Sequence, residues 1–147
     1  MNLYIDCEFN GGLGDLISMA LVDEYGREFY EVLPCPNPEP WIVENVIPIL
    51  GKAPVTLAEL QDKLWRFLCF GEKLHIIADH PADLAYFFET LIVNAQGGWL
   101  SIPPVSAEII PHLDYKSAIP HNALEDAKAI RVVVIAMLAE KEKTERG

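Results

Sequence analysis

The chain has 147 residues, of which 51% are hydrophobic, and this is the size and composition of one globular domain with a single core. Its formal net charge of −11 argues against a broad nucleic-acid-binding surface, which needs clustered Lys and Arg. The three cysteines form no C-x-x-C pair, which fits a reducing compartment. We see no apolar stretch long enough to span a membrane and no signal-peptide pattern, so we expect a cytoplasmic protein without a membrane partner.

The first third of the chain predicts three short strands joined by tight connections. The three apolar runs cover residues 3–7, 16–22 and 28–33. Alternation along the first run places Tyr4, Asp6 and Glu8 on one face of its strand. A Glu-Tyr-Gly turn signal separates the second run from the third, so we expect an antiparallel meander.

The next segment predicts a loop and two helices. Four prolines mark residues 34–40 as a loop, and residues 41–50 fit a short helix. Thr56 and Glu59 form a capping box for the second helix, which ends at Gly71. The expected apolar face of that helix consists of Leu57, Leu60, Leu64, Phe67 and Leu68.

The rest of the chain alternates strand and helix. Residues 74–78 predict a short buried strand, and Pro81 suits the first position of a helix. Residues 99–120 are broken by prolines and give no assignment, whereas Asn122 caps a last helix whose charged tail, from about residue 141, should fray. The expected apolar faces are Leu84, Phe87, Phe88 and Leu91 on the first of these helices and Ala127, Ile130, Val134 and Met137 on the last. The whole chain is therefore predicted to form a single α/β domain with a mixed sheet flanked by helices.

Separated acids and one histidine are the candidates for a functional site. Asp6 and Glu8 form the only Asp-x-Glu pair in the chain, although such a pair alone is more often two solvated acids. Asp126 falls one helical turn before Ile130, near the buried side, where a carboxylate needs a partner. His121 lies just before the cap of the same helix. Carboxylates gathered from distant segments repel one another, and Mg²⁺ or Mn²⁺ would relieve that repulsion.

The remaining acid of the set is either Asp83 or Asp79. Asp83 precedes Phe87 by one turn, which would turn it towards the sheet, and we favour it as the ligand. It also fits an ordinary acid in the first turn of a helix. Asp79 ends the predicted strand, which is another good place for a ligand; otherwise it would cap the helix or accept a hydrogen bond.

The order Asp6-x-Glu8, Asp83, His121 and Asp126 resembles the DEDDh group of 3′–5′ exonucleases. The wider sequence is most similar to a compact subfamily of bacterial and phage exoribonucleases related to RNase AS. The segments that carry this similarity are Tyr-Ile-Asp-Cys-Glu-Phe, Leu-Ile-Ser-Met-Ala-Leu-Val and Trp-Ile-Val-Glu-Asn-Val-Ile-Pro. The resemblance extends from the first strand to the last helix.

The resemblance implies an RNase H-like fold and a two-metal phosphodiester hydrolase. Asp6, Glu8 and Asp126 would hold one Mg²⁺ or Mn²⁺ ion, Asp6 and Asp83 would hold the second, and His121 would be the general base. The substrate would be the 3′ end of single-stranded RNA or DNA, with RNA favoured, and the products nucleoside monophosphates. Compact relatives of this kind pair as homodimers, and the resemblance extends that expectation to this chain.

The resemblance also suggests substrate contacts. Phe9 and Asn10 follow the acid pair, where the family binds the terminal nucleotide, and Phe9 fits a base-stacking residue and a core residue equally well. An asparagine that the family carries before its helical aspartate is replaced here by Asp79 and His80, so either could contact substrate. A histidine at such a position is more often a neighbour of the helix cap. Trp41 fits a core or an interface, and the sequence does not separate the two.

Two other functions remain open at this stage. One is a catalytically silent nucleic-acid-binding or scaffold module of the same fold. The other is an enzyme that acts on a different phosphodiester, such as a very short oligonucleotide or the end of a tRNA.

Overall fold

The computed structural model describes residues 1–147, and its centre is a five-stranded mixed sheet flanked by helices. The strands are β1 (Asn2–Phe9), β2 (Leu16–Asp23), β3 (Glu28–Val32), β4 (Leu74–Ala78) and β5 (Val105–Ile109), in the order β3-β2-β1-β4-β5 across the sheet. The first three strands pair antiparallel, whereas β4 runs parallel to both β1 and β5. The predicted α/β class and the antiparallel meander are confirmed.

The helices lie on both faces of the sheet. They are α1 (Pro40–Asn45), α2 (Leu57–Leu68), α3 (Pro81–Thr90) and α4 (Ala123–Arg146), and a 3₁₀ turn (Ile47–Ile49) follows α1. The main apolar core joins α2 and α3 to one face of the sheet, and α4 covers the other face, where Tyr4 and Ile77 meet Ile130 and Val134. None of these helices combines the length and the apolar character that crossing a bilayer requires.

Two helical faces differ from the predicted ones. Phe88 is exposed and Leu84 only half-buried, because α3 turns Asp83 and Tyr86 inward. Met137 is exposed because α4, at 24 residues, is about 36 Å long and continues past the eight-residue strands that it covers. The same helix includes the charged segment after residue 141, which had been expected to fray.

The capping box that begins α2 is confirmed, since the Thr56 side chain accepts from the Glu59 backbone N–H and the Glu59 side chain accepts from the Thr56 N–H. Leu57 was wrongly assigned to the buried face of this helix, because it lies in the exposed first turn. β5 was missed altogether. It is an edge strand whose residues are largely exposed, so it lacks a buried apolar pattern.

Asn122 joins the start of α4 to the segment after α1. Its side-chain oxygen accepts from the Glu125 N–H at 3.1 Å, and its side-chain nitrogen donates to the Ile49 carbonyl at 2.9 Å. We expect Asn122→Ala to lower the free energy of unfolding by about 1–3 kcal/mol, because a helix cap is lost and a second hydrogen bond with it. Chemical denaturation would measure this.

The matched control is Asn37→Ala, because Asn37 is exposed and its side chain makes no hydrogen bond within the chain. It should change the free energy of unfolding by less than about 0.5 kcal/mol. Equal effects of the two substitutions would contradict the role given to Asn122.

Candidate metal centre

The first group of acids forms where β1 passes under α4. Asp6 and Glu8 lie on the same face of β1 as Tyr4, and Tyr4 packs against Ile130 of α4. Asp126 lies one turn before Ile130, so α4 brings it over the acid pair. The carboxylate oxygens of Asp6, Glu8 and Asp126 lie within 4.8 Å of one another. The strand register shifts directly after Glu8, and such irregularities often redirect side chains beside functional sites.

The second group shares Asp6 and adds both of the acids between which the sequence left a choice. β4 runs parallel to β1, so the ends of the two strands lie at one edge of the sheet, and Asp79 directly follows β4. Asp83 lies in the first turn of α3, and its Oδ1 accepts from the Cys7 backbone N–H at 3.1 Å. Oxygens of Asp6, Asp79 and Asp83 again lie within 4.8 Å of one another. Asp83 faces the sheet as predicted, and Asp79 stands beside it.

These acids are buried without a cation from the protein. The exposed fractions of Asp6, Asp83 and Asp126 are 8%, 2% and 7%, and each has one buried carboxylate oxygen with no hydrogen-bond partner. The seven salt bridges of the chain all involve other acids. A buried carboxylate without a partner is costly, so this edge of the sheet requires protons or an added cation.

The pKa values of the acids move in the direction that this burial demands. Burial raises the pKa of Glu8 to about 8, and the charges of Asp126 and Asp83 contribute. Burial also raises the pKa of Asp83 to about 8, with a contribution from Asp79 that the Cys7 N–H partly opposes. The pKa of Asp6 is well above its ordinary value, through burial first and the Asp83 charge second.

A hard divalent cation fits the donor atoms of this site. Both groups offer carboxylate oxygens only, and neither contains a histidine or a cysteine. Such ligands suit Mg²⁺ or Mn²⁺ better than zinc, which prefers nitrogen and sulfur. The buried oxygens that lack partners on Asp6, Asp83 and Asp126 are the atoms that a cation would satisfy.

His121 stands at the rim of the site. Its backbone N–H donates to Asp126 Oδ2 at 3.1 Å, and its φ of 68° places it in the left-handed region. Its exposed ring makes no hydrogen bond within the chain and lies 5.0 Å from the Trp41 ring, almost perpendicular to it. Together with Asp126 and four residues of the preceding loop, His121 lines a cavity of about 500 Å³; the four are Tyr115, Lys116, Ser117 and Pro120.

The three expected substrate contacts have structural partners. Phe9 stacks on Tyr86 with ring centres 4.9 Å apart and packs against the main core. The Asn10 amide accepts from the Glu39 N–H at 2.8 Å and donates to the Asn37 carbonyl at 2.9 Å, so both its polar atoms are used within the fold.

His80 caps α3, because its Nδ1 accepts from the Ala82 N–H at 3.1 Å. The alternative in which Asp79 caps this helix is therefore wrong. Asp79 lies instead among the ligand oxygens at the edge of the sheet.

Tyr115 is a site residue that the sequence did not indicate. Burial raises the pKa of its hydroxyl, and the charges of Asp6 and Asp79 raise that pKa further. The tyrosine therefore lies near the carboxylates. It belongs to the proline-broken segment for which no element could be assigned, and no local pattern marks it.

A second polar cluster lies near the other end of β4. His75 Nδ1 is 2.8 Å from Ser106 Oγ, and His75 Nε2 is 3.1 Å from Glu108 Oε2. These are cross-strand contacts between β4 and β5 that help to fix their register. Ser106 lies within a strand, not on the sharp turn that exposes the nucleophile of many hydrolases, so we assign no reaction to this cluster.

Comparison of the chain with models of known protein families gives no match, and comparison with curated proteins gives none either. Assignment of a function therefore depends on the site itself.

The raised pKa values predict how pH affects the metal-free protein. Glu8 and Asp83 titrate near 8 when folded and near 4.5 and 3.8 when unfolded, so between these values the folded protein holds protons that the unfolded chain releases. Stability should therefore fall as pH rises from 5 to 8, by up to about 1.4 kcal/mol per pH unit for each proton that the folded state retains. Urea denaturation in EDTA at each pH would measure the change.

Asp6→Asn removes one of the repelling charges, so it should flatten this pH dependence and stabilise the metal-free protein at pH 8. Asp62→Asn is the control, because Asp62 is an exposed acid of α2 paired with Arg66, and it should leave the slope unchanged. A wild-type stability that is constant or rises over this range would contradict the prediction.

Proposed function

We propose that this protein is a metal-dependent 3′–5′ exonuclease with an RNase H-like fold, which releases nucleoside monophosphates from single-stranded ends and favours RNA over DNA. One observation carries the proposal. Two groups of carboxylates share Asp6, and one buried oxygen on each of Asp6, Asp83 and Asp126 has no cation or hydrogen-bond donor from the chain. The mixed sheet flanked by helices is compatible with the fold, and the resemblance of the acid order supplies the direction of cleavage.

The residues divide into two ligand sets. Asp6, Glu8 and Asp126 would hold one ion, and Asp6, Asp79 and Asp83 would hold the other. Ions held there would offset the charge of the scissile phosphate and lower the pKa of a water molecule. The backbone N–H of Cys7 fixes Asp83 through one oxygen, which leaves the second oxygen for coordination.

His121 would accept the proton of the attacking water. Its ring is exposed at the rim, beside Asp126, and both ring nitrogens are free of partners within the chain, so one can accept a proton. Lys116 is the one lysine or arginine among the residues that line the same cavity, and it suits a phosphate of the substrate. Phe9 would form a wall of the site through its stack on Tyr86.

The alternative is a catalytically silent nucleic-acid-binding or scaffold module. Binding of metal without hydrolysis of any oligonucleotide would favour it. Pairing into a homodimer, which the resemblance implies, would need an apolar surface, and the middle of α4 exposes four apolar side chains: Val132, Ile135, Met137 and Leu138. Sedimentation velocity would test it.

The direct test uses end-labelled oligonucleotides. Wild-type protein with Mg²⁺ or Mn²⁺ should shorten single-stranded RNA stepwise from its 3′ end, more slowly shorten DNA, and lose activity in EDTA. Asp126→Asn should lower turnover by at least about 100-fold, because a ligand charge is lost from the site. Gel ladders and chromatography of the released nucleotides would measure this, with Asp62→Asn as the active control. Full activity after exhaustive chelation would reject the metal-dependent mechanism.

The second ligand set is tested by comparing Asp79→Asn with Asp83→Asn. Both oxygens lie within reach of Asp6, so both variants should bind Mn²⁺ more weakly in calorimetry than wild type. Asp83→Asn should have the larger effect, by about 10-fold or more, because Asp83 is the more deeply buried of the two acids. Unchanged affinity in Asp83→Asn would remove this residue from the ligand set.

A further inference from the structure

Trp41 lies beside His121, on a short helix that contacts both the segment after Glu8 and the segment after His121. The ring centres are 5.0 Å apart at 83°, and Trp41 is 51% exposed, so it is not a core residue. Ile42 of the same short helix and Val46, the residue that follows it, are buried in a separate apolar cluster. The helix is therefore anchored by Ile42 and Val46, while Trp41 projects towards the rim.

Two asparagines fix this helix relative to the acids. Asn10, two residues after Glu8, bonds the backbone of Asn37 and Glu39 just before α1. Asn122, directly after His121, bonds the Ile49 carbonyl just after α1. Trp41 is thus positioned by contacts to the segments that carry Glu8 and His121.

The ring of His121 lacks the usual means of orientation. A histidine base is commonly held by a hydrogen bond from its second ring nitrogen to a carboxylate or carbonyl. His121 has no such bond, and the Trp41 ring is the aromatic group that it contacts. Perpendicular aromatic contacts of this kind have a preferred geometry.

We propose that Trp41 is a positioning residue that orients the His121 imidazole for proton transfer. This role depends on the proposed nuclease function. Trp41 acts through His121, so its loss lowers the rate of the chemical step and not the affinity for substrate.

The test is a double-mutant cycle. Trp41→Leu should lower kcat by about 10-fold with KM within about 2-fold, because a displaced base is less effective. Trp41→Phe should restore most of kcat. His121→Ala should lower kcat by about 100-fold, and adding Trp41→Leu to it should cause no further loss. Trp99→Leu is the control, since Trp99 is 66% exposed and lines a different cavity.

A further loss of about 10-fold when Trp41→Leu is added to His121→Ala would overturn the proposal, because Trp41 would then act independently of His121. A rise in KM at constant kcat in Trp41→Leu would also overturn it. NMR gives a readout that does not need activity. The His121 imidazole C–H signal, assigned by its absence in His121→Ala, should shift in Trp41→Leu because the indole ring current is lost. An unchanged signal would overturn the contact itself. If the His121 signal shifts in Trp41→Leu but the wild-type protein hydrolyses no oligonucleotide, the nuclease function and this role of Trp41 are both overturned. The contact between the two rings would still stand.

Discussion

Repulsion among the carboxylates at one edge of the sheet is the constraint on which the rest of the site depends. Asp6 lies between two groups of acids and is almost fully buried, so each neighbour raises the free energy of its charged form. The fold offsets part of this repulsion with helix ends. Asp83 and Asp126 both lie in the first turns of their helices, where the positive end of the helix dipole favours a negative charge. The remaining charge is left to protons or to cations.

A small apolar cluster, separate from the main core, positions the rim of the acid site. Ile42 of α1 and Val46, the residue that follows α1, pack with Ile17 and Val32 of the sheet, away from the main core. This places α1 beside the loop that ends at His121. The acids therefore depend on the central strands, whereas the rim of the site depends on a peripheral helix held by two asparagine side chains.

Local periodicity predicted the parts of the site that lie on regular elements. Alternation along β1 put Asp6 and Glu8 together, and the helical repeat put Asp126 on the buried side of α4. The sequence posed Asp79 and Asp83 as alternatives, whereas the structure brings both beside Asp6, because a strand end and the first turn of the next helix approach the same point. The roles of these residues in catalysis stay predictions.

Contacts between segments that are distant along the chain could not be predicted from local sequence patterns. Asn10 is engaged by a loop that lies 27 residues away along the chain, and Tyr115 reaches the acids from an irregular segment. The buried face of α3 was misjudged because apolar residues were assumed to face the core. In the structure Asp83, which was predicted to face the sheet, shares the buried face with Tyr86 and Phe87, and Phe88 is turned outward.

The acidity of the whole chain and the chemistry of the site are consistent with each other. With a net charge of −11, the chain offers a polyanion little attraction away from bound cations, so binding along a long backbone would be weak. Cations held by Asp6 and its neighbours would reverse the sign of the potential only locally. Such a field favours one phosphate at the site over many phosphates along the surface. The proposed exonuclease, which would remove one nucleotide at a time from an end, needs no more than this.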